Sequence, residues 1–464
     1  MNKFFKVLLI FIFVANCSLH KNSKFWTKQD KNILEEKKAT VIEVFKQKEN
    51  LGNEFNPNLK IILDSKTISK SFVNNFDNNN GRVDFIGKLK KKSKYRFSKI
   101  KNFHQYDPKI SFYKNDIIFF DNKGSILRFN DKSDLIWKKN NYTKSEKKQN
   151  PILFFANNQK ILVVADNISN YYALDINTGE VLWKKKNIAP FNSQIKIYKN
   201  KFFVIDFQNI FRAYSINDGN EIWNIKTQNL LIRSQKKLSM VIIEDKVYFN
   251  NSSGDISAIG IESGELLWQT PTQSSLLYDE SSFLKTSDII ADKETLYFSN
   301  NKNQFFSINI LNGKINWQQE INSNLRPTLI DDYIFTVSTE GYLIVIEKNS
   351  GNIIRITDIF KNYKKTKKKD CRFRDMFSCE GSTIPGYYFD FMKNDNKLLM
   401  KPTGFIVGKN NIYITTNNGK LLVIEIKTGK TLSMLKINND KIARPSVLNQ
   451  NMFIITDNSI IKLN

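Results

Sequence analysis

Tyr172-Ala173-Leu174-Asp175-Ile176-Asn177-Thr178-Gly179-Glu180-Val181-Leu182-Trp183 decides the fold. A short apolar strand runs into a polar turn, the turn ends in Gly179, and a second strand ends on a large ring. Glycine accepts the positive φ that such a hairpin turn needs. The same phrase returns at 213–223, 258–268 and 307–317. Trp137, Trp183, Trp223, Trp268 and Trp317 are spaced by 46, 40, 45 and 49 residues. Two later copies, 345–351 and 423–429, keep the turn and lose the tryptophan. Upstream of each phrase lies another apolar strand with its own polar turn, as at 160–166, 246–249 and 411–415, and a further short strand before it. Four short strands every 40 to 50 residues make one propeller blade.

Seven such repeats run from about Lys109 to Lys436. The C-terminal stretch from Arg444 to Leu463 supplies three strands, and Arg82 to Leu89 supplies an orphan fourth. Joining them predicts an all-β, eight-bladed β-propeller of four-stranded antiparallel blades. The N- and C-terminal strands share one blade, so no sheet edge is left open around the ring. The recurrent tryptophan is expected to pack between neighbouring blades.

The segments outside the ring read differently. Lys3 and Lys6 precede an apolar run from Val7 to Ala15, too short to span a bilayer and followed by Cys17. This predicts a signal peptide at 1–16 and a lipid anchor on Cys17. Residues 17–81 are expected to form the anchor and tether, and 82–464 the propeller, with an insertion at 357–400. That insertion holds Cys371 and Cys379, which in an oxidising envelope form a disulfide or else stand as two free thiols.

The net charge of +26 comes from lysines spread along the chain, with clusters at 90–94, 184–186 and 364–369. No arginine-rich helix or nucleic-acid motif accompanies them, so they read as a solvated surface rather than a nucleic-acid site. A basic surface beside a lipid anchor also suits anionic headgroups. His20 and His104 are the two histidines, and no His/Cys/Asp/Glu group has metal-ligand spacing. Asn250 to Asp255 reads as a hairpin turn rather than a calcium loop. No Gly-x-Ser-x-Gly or phosphate-binding glycine loop occurs. The expectation is therefore no catalytic residue, no metal and no cofactor.

The phrase at 173–183 resembles the pyrroloquinoline-quinone-type propeller repeat. From about residue 80 onward the chain is similar to the BamB-like family of outer-membrane assembly lipoproteins. That resemblance implies a scaffold of the outer-membrane β-barrel assembly machinery, lipid-anchored at the periplasmic face. Its expected partners are a barrel-assembly protein and nascent β-barrels, and it is expected to be a monomer within a complex. Leu230, Ile232 and Arg233, between the third and fourth blades, match the stretch with which that family touches its barrel partner; alternatively Leu230 and Ile232 begin the next blade. Phe283 and Lys285 fall where the family carries aspartates, with Asp279 and Glu280 just upstream. Two other functions use the same repeat: a quinone-dependent dehydrogenase, and an envelope propeller that binds peptides or glycans.

Overall fold

The computed structural model describes residues 54–64, 66–67, 81–227, 236–273, 284–363 and 400–464. All belong to the compact unit Asn53–Asn464. They form eight four-stranded antiparallel sheets. In chain order, blades one to seven cover 111–139, 153–186, 196–226, 240–270, 290–319, 328–358 and 402–436. Blade eight takes strands at 446–448, 451–455 and 459–463, and its fourth strand comes from 91–96.

Burial separates the strands of each blade. The second and third are almost wholly apolar and buried on both faces, as in Ile161–Asp166. The first strands of adjacent blades lie beside one another, which places them innermost around the channel. The fourth are exposed on alternate residues, as in Val181–Lys186, and form the rim. Apolar side chains of neighbouring blades fill the wedge between them; Val163, Phe202 and Tyr214 do so between blades two and three.

The tryptophans fasten these wedges. Trp183 donates its Nε1–H to the carbonyl of Ile216 in the next blade at 2.9 Å. Trp223, Trp268 and Trp317 do the same to Ile261, Ile310 and Lys348. Each ring covers the glycine of the following blade's turn. Gly219 has φ +68°, and a Cβ there would lie 2.6 Å from the Trp183 ring. The glycine thus serves the turn and leaves room for the indole. Opposite each indole of blades two to five stands a small residue, Ala173, Ala213, Ala258 or Ser307, followed at once by a register shift. A bulge there adds local twist to the hairpin.

Blade six replaces the tryptophan with Arg355, which is fully buried. Its guanidinium donates to the carbonyls of Ile426 at 2.9 Å, Lys427 at 2.7 Å and Leu59 at 3.0 Å. Leu59 belongs to the stretch read as a tether. Residues 54–64 lie along the rim of blade six: Phe55 exchanges backbone hydrogen bonds with Ile356, and buried Ile61 donates to Lys427.

Blade eight is closed as expected, but by a different strand. Lys91–Arg96 pairs with 459–463, with Tyr95 opposite Ile460. Residues 82–89 instead fill the wedge between blades seven and eight. Val83 donates to Val407 at 2.8 Å, and Phe85 packs edge-on against Tyr413. An outermost strand buries little, so the lysine-rich run needs only Tyr95 turned inward. The apolar pair Val83 and Phe85 is better used in the core.

Candidate functional site at the channel mouth

Each innermost strand enters the sheet from the same end of the ring, so the residues just before it gather around one mouth of the channel. They are Lys109 before blade one, Lys236 and Lys237 before blade four, Asp288 before blade five, Arg326 before blade six and Arg444 before blade eight. Blades one and five face each other across an eight-bladed ring. Lys109 Nζ nevertheless lies 2.6 Å from Asp288 Oδ2, so this ion pair crosses the bore. Lys236 donates to the carbonyl of Asn324, and Lys237 stands over the Phe154 ring of blade two at 5.9 Å. Lys441 bonds Asp107 at 2.8 Å and the carbonyls of His104 and Tyr106. Arg444 is held by the carbonyl of Phe405 at 2.8 Å.

The electrostatics follow from this crowding. Burial alone would raise the Asp288 carboxyl, but Lys109, Arg326, Lys237 and Lys236 hold it well below the usual carboxylate range. Burial pushes the Lys236 amine down to about 8. Burial and then Lys109 push the Lys237 amine down to about 7. Water still reaches the site, since the Lys109 side chain keeps 46% of its accessibility.

The expected partner-contact residues Leu230, Ile232 and Arg233 lie outside the described residues, as do Cys17, Cys371, Cys379, Asp279, Glu280 and Phe283. The two ends of the connection that carries Leu230 are described. It leaves the rim of blade three at Thr227, whose hydroxyl donates to Asn209, and rejoins at Lys236 in the channel mouth. Lys285 is exposed, and its N–H donates to Asn301 Oδ1 at 2.7 Å. The channel-mouth charges escaped the sequence reading. Their one local signal is the pair Arg326-Pro327-Thr328 and Arg444-Pro445-Ser446, a basic residue before Pro and a hydroxyl.

Among the described residues no group of three or more His, Cys, Asp or Glu could hold a metal ion. The donor set at the mouth is cationic, and so does not suit a hard cation that takes oxygen ligands. Among the described residues no helix is long and apolar enough to cross a membrane.

Comparison with known proteins agrees with this architecture. Solved structures similar to the chain include BamB from Moraxella catarrhalis, with 14% identity and a TM-score of 0.61, covering 81% of this chain and 99% of that one. Quinohemoprotein alcohol dehydrogenase from Comamonas testosteroni is also similar, with 9% identity and a TM-score of 0.59, covering 83% of this chain and 78% of that one. A computationally designed protein, Ika8, shares the fold at 13% identity and a TM-score of 0.55, covering 80% of this chain and 99% of that one. At such identities these likenesses establish the fold alone. No curated protein sequence matches the chain. The model of the family described as outer membrane protein assembly factor BamB matches residues 122–357, just over half of the chain. The chain therefore belongs to the family of outer membrane protein assembly factor BamB.

Proposed function

We propose that this protein is a non-catalytic scaffold of outer-membrane β-barrel assembly, anchored by a lipid on Cys17 at the periplasmic face of the outer membrane. The observation that carries the reading is the family match across blades one to six. The rim supports it. Outer strands of blades one, two and four present exposed apolar pairs, Leu135 with Ile136, Val181 with Leu182 and Leu266 with Leu267. A strand edge with exposed apolar side chains is suited to pairing with another extended chain. The rim of blade eight, with Lys91, Lys92 and Lys94, is charged and disfavours such pairing.

In this reading Leu230, Ile232 and Arg233 dock onto the periplasmic part of the barrel-assembly partner, and the rim serves nascent barrels. Apolar residues beside an arginine suit an interface hot spot, where truncation costs about 2 kcal/mol or more. Leu230→Ala with Arg233→Ala should weaken partner capture by at least roughly 30-fold. Unchanged capture by the folded double variant overturns the docking assignment. A disulfide between Cys371 and Cys379 completes the proposal; labelling of both thiols in protein taken from the envelope would rule it out.

A further inference from the structure

The channel mouth concentrates like charge around few acids. Lys109, Lys236, Lys237, Arg326 and Arg444 surround the one carboxylate of Asp288, while Asp107, the next acid, is already engaged by Lys441. Gathering cations in a partly desolvated bore is unfavourable, because each repels the others at reduced dielectric. Titratable groups perturbed by burial and by specific charge partners in a cleft mark a candidate ligand site. The cations come from blades one, four, six and eight and so approach from separate directions. That arrangement suits a compact tetrahedral group better than a flat one. Guanidinium and ammonium donors both form short, strong bonds to oxyanions.

We propose that the channel mouth binds a small, soluble, multivalent oxyanion of the phosphate class, held by Lys109, Lys237 and Arg444 and competing with Asp288 for the same cations. The site lies within the ring of blades, at the mouth of the bore that the Lys109–Asp288 pair crosses, so a free ion reaches it more readily than a headgroup held in a bilayer. Lys237 is faced by Lys109, Lys236, Asp288 and Asp107 and titrates near neutrality. An anion beside it would raise its proton affinity, so binding takes up a proton and tightens as pH falls.

The test is calorimetric titration of the full-length protein with sodium pyrophosphate, in two buffers of different ionisation enthalpy, at about pH 6.5 and about pH 8. The expected result is one site per chain, proton uptake, and tighter binding at the lower pH. Lys237→Gln should weaken binding roughly tenfold or more and reduce proton uptake. Asp288→Asn should tighten it, a change that misfolding cannot mimic. Lys132→Gln, an exposed turn residue, should match wild type. Absence of saturable binding, or equal affinities for the Lys237 and Lys132 variants, overturns the site. Vesicles of phosphatidylcholine with phosphatidic acid form the second arm. Lys237-dependent binding to those vesicles without binding of free pyrophosphate overturns the soluble ligand.

Discussion

Replacing Gly219 with alanine should loosen the joint between blades two and three by about 2 to 5 kcal/mol. Two contributions add. Gly219 sits at φ +68°. Left-handed backbone costs an alanine about 1–2 kcal/mol relative to glycine. The new Cβ would also lie 2.6 Å from the Trp183 ring. The indole cannot slide away freely, because its Nε1–H is bonded to Ile216 at 2.9 Å and its face is stacked on Phe202. Forcing a methyl into such a contact costs about 1–3 kcal/mol. Equilibrium urea denaturation followed by far-ultraviolet circular dichroism measures the sum. Gly260→Ala is the control: it lies outside the left-handed region and meets only Ser263 Oγ at 3.0 Å. Trp183→Ala will be destabilising by itself, but in that background Gly219→Ala should lose the steric part and keep about 1–2 kcal/mol. A Gly219→Ala protein within about 0.5 kcal/mol of wild type, or a penalty unchanged when the indole is absent, refutes the ring-on-glycine account of the joints.

Closure of the ring makes Tyr95 costly to remove: it is fully buried and donates to the carbonyl of Asp131 at 3.1 Å, so Tyr95→Ala should destabilise by about 3–5 kcal/mol in the same assay. Arg355→Met should free residues 54–64 from the rim, read as faster hydrogen exchange at the amides of Phe55 and Ile61 while the amides of blades two and three stay protected. Lys237 is held at about 7 in the folded protein against 10.5 when unperturbed. The unfolded chain therefore binds more protons between those values, so this residue makes stability rise with pH across that window. Urea midpoints measured from about pH 7 to 10 should rise less steeply for Lys237→Gln than for wild type.

The hairpin phrase could be read from sequence because turn, glycine and indole are one local device: residues 173–183 hold both the turn glycine and the ring that reaches the next blade. The count of eight followed from repetition. The closing strand was misassigned because apolar content marks burial, and Val83 and Phe85 are indeed buried, but in a wedge rather than in the ladder. Lys91–Arg96 looked like a solvated charge run, and an outer edge strand has that composition. Arg355 read as a lost tryptophan, whereas its guanidinium reaches Ile426, the counterpart of the Ile216 carbonyl that Trp183 bonds, and also Lys427 and Leu59. Of the channel mouth only the basic-Pro-hydroxyl motif at Arg326 and Arg444 left a mark in the sequence. Residues 109, 237, 288, 326 and 444 lie far apart along the chain, and only closure of the ring brings them together.

The scaffold account is tested most directly by affinity purification of the wild-type protein from crosslinked envelope membranes, with the co-purifying proteins identified. The account predicts that a periplasmic barrel-assembly protein is captured, and that Cys17→Ser releases the chain from the membrane fraction because acyl chains supply the anchoring energy. Purification without any barrel-assembly protein, together with quinone-dependent substrate oxidation by the same preparation, would contradict it.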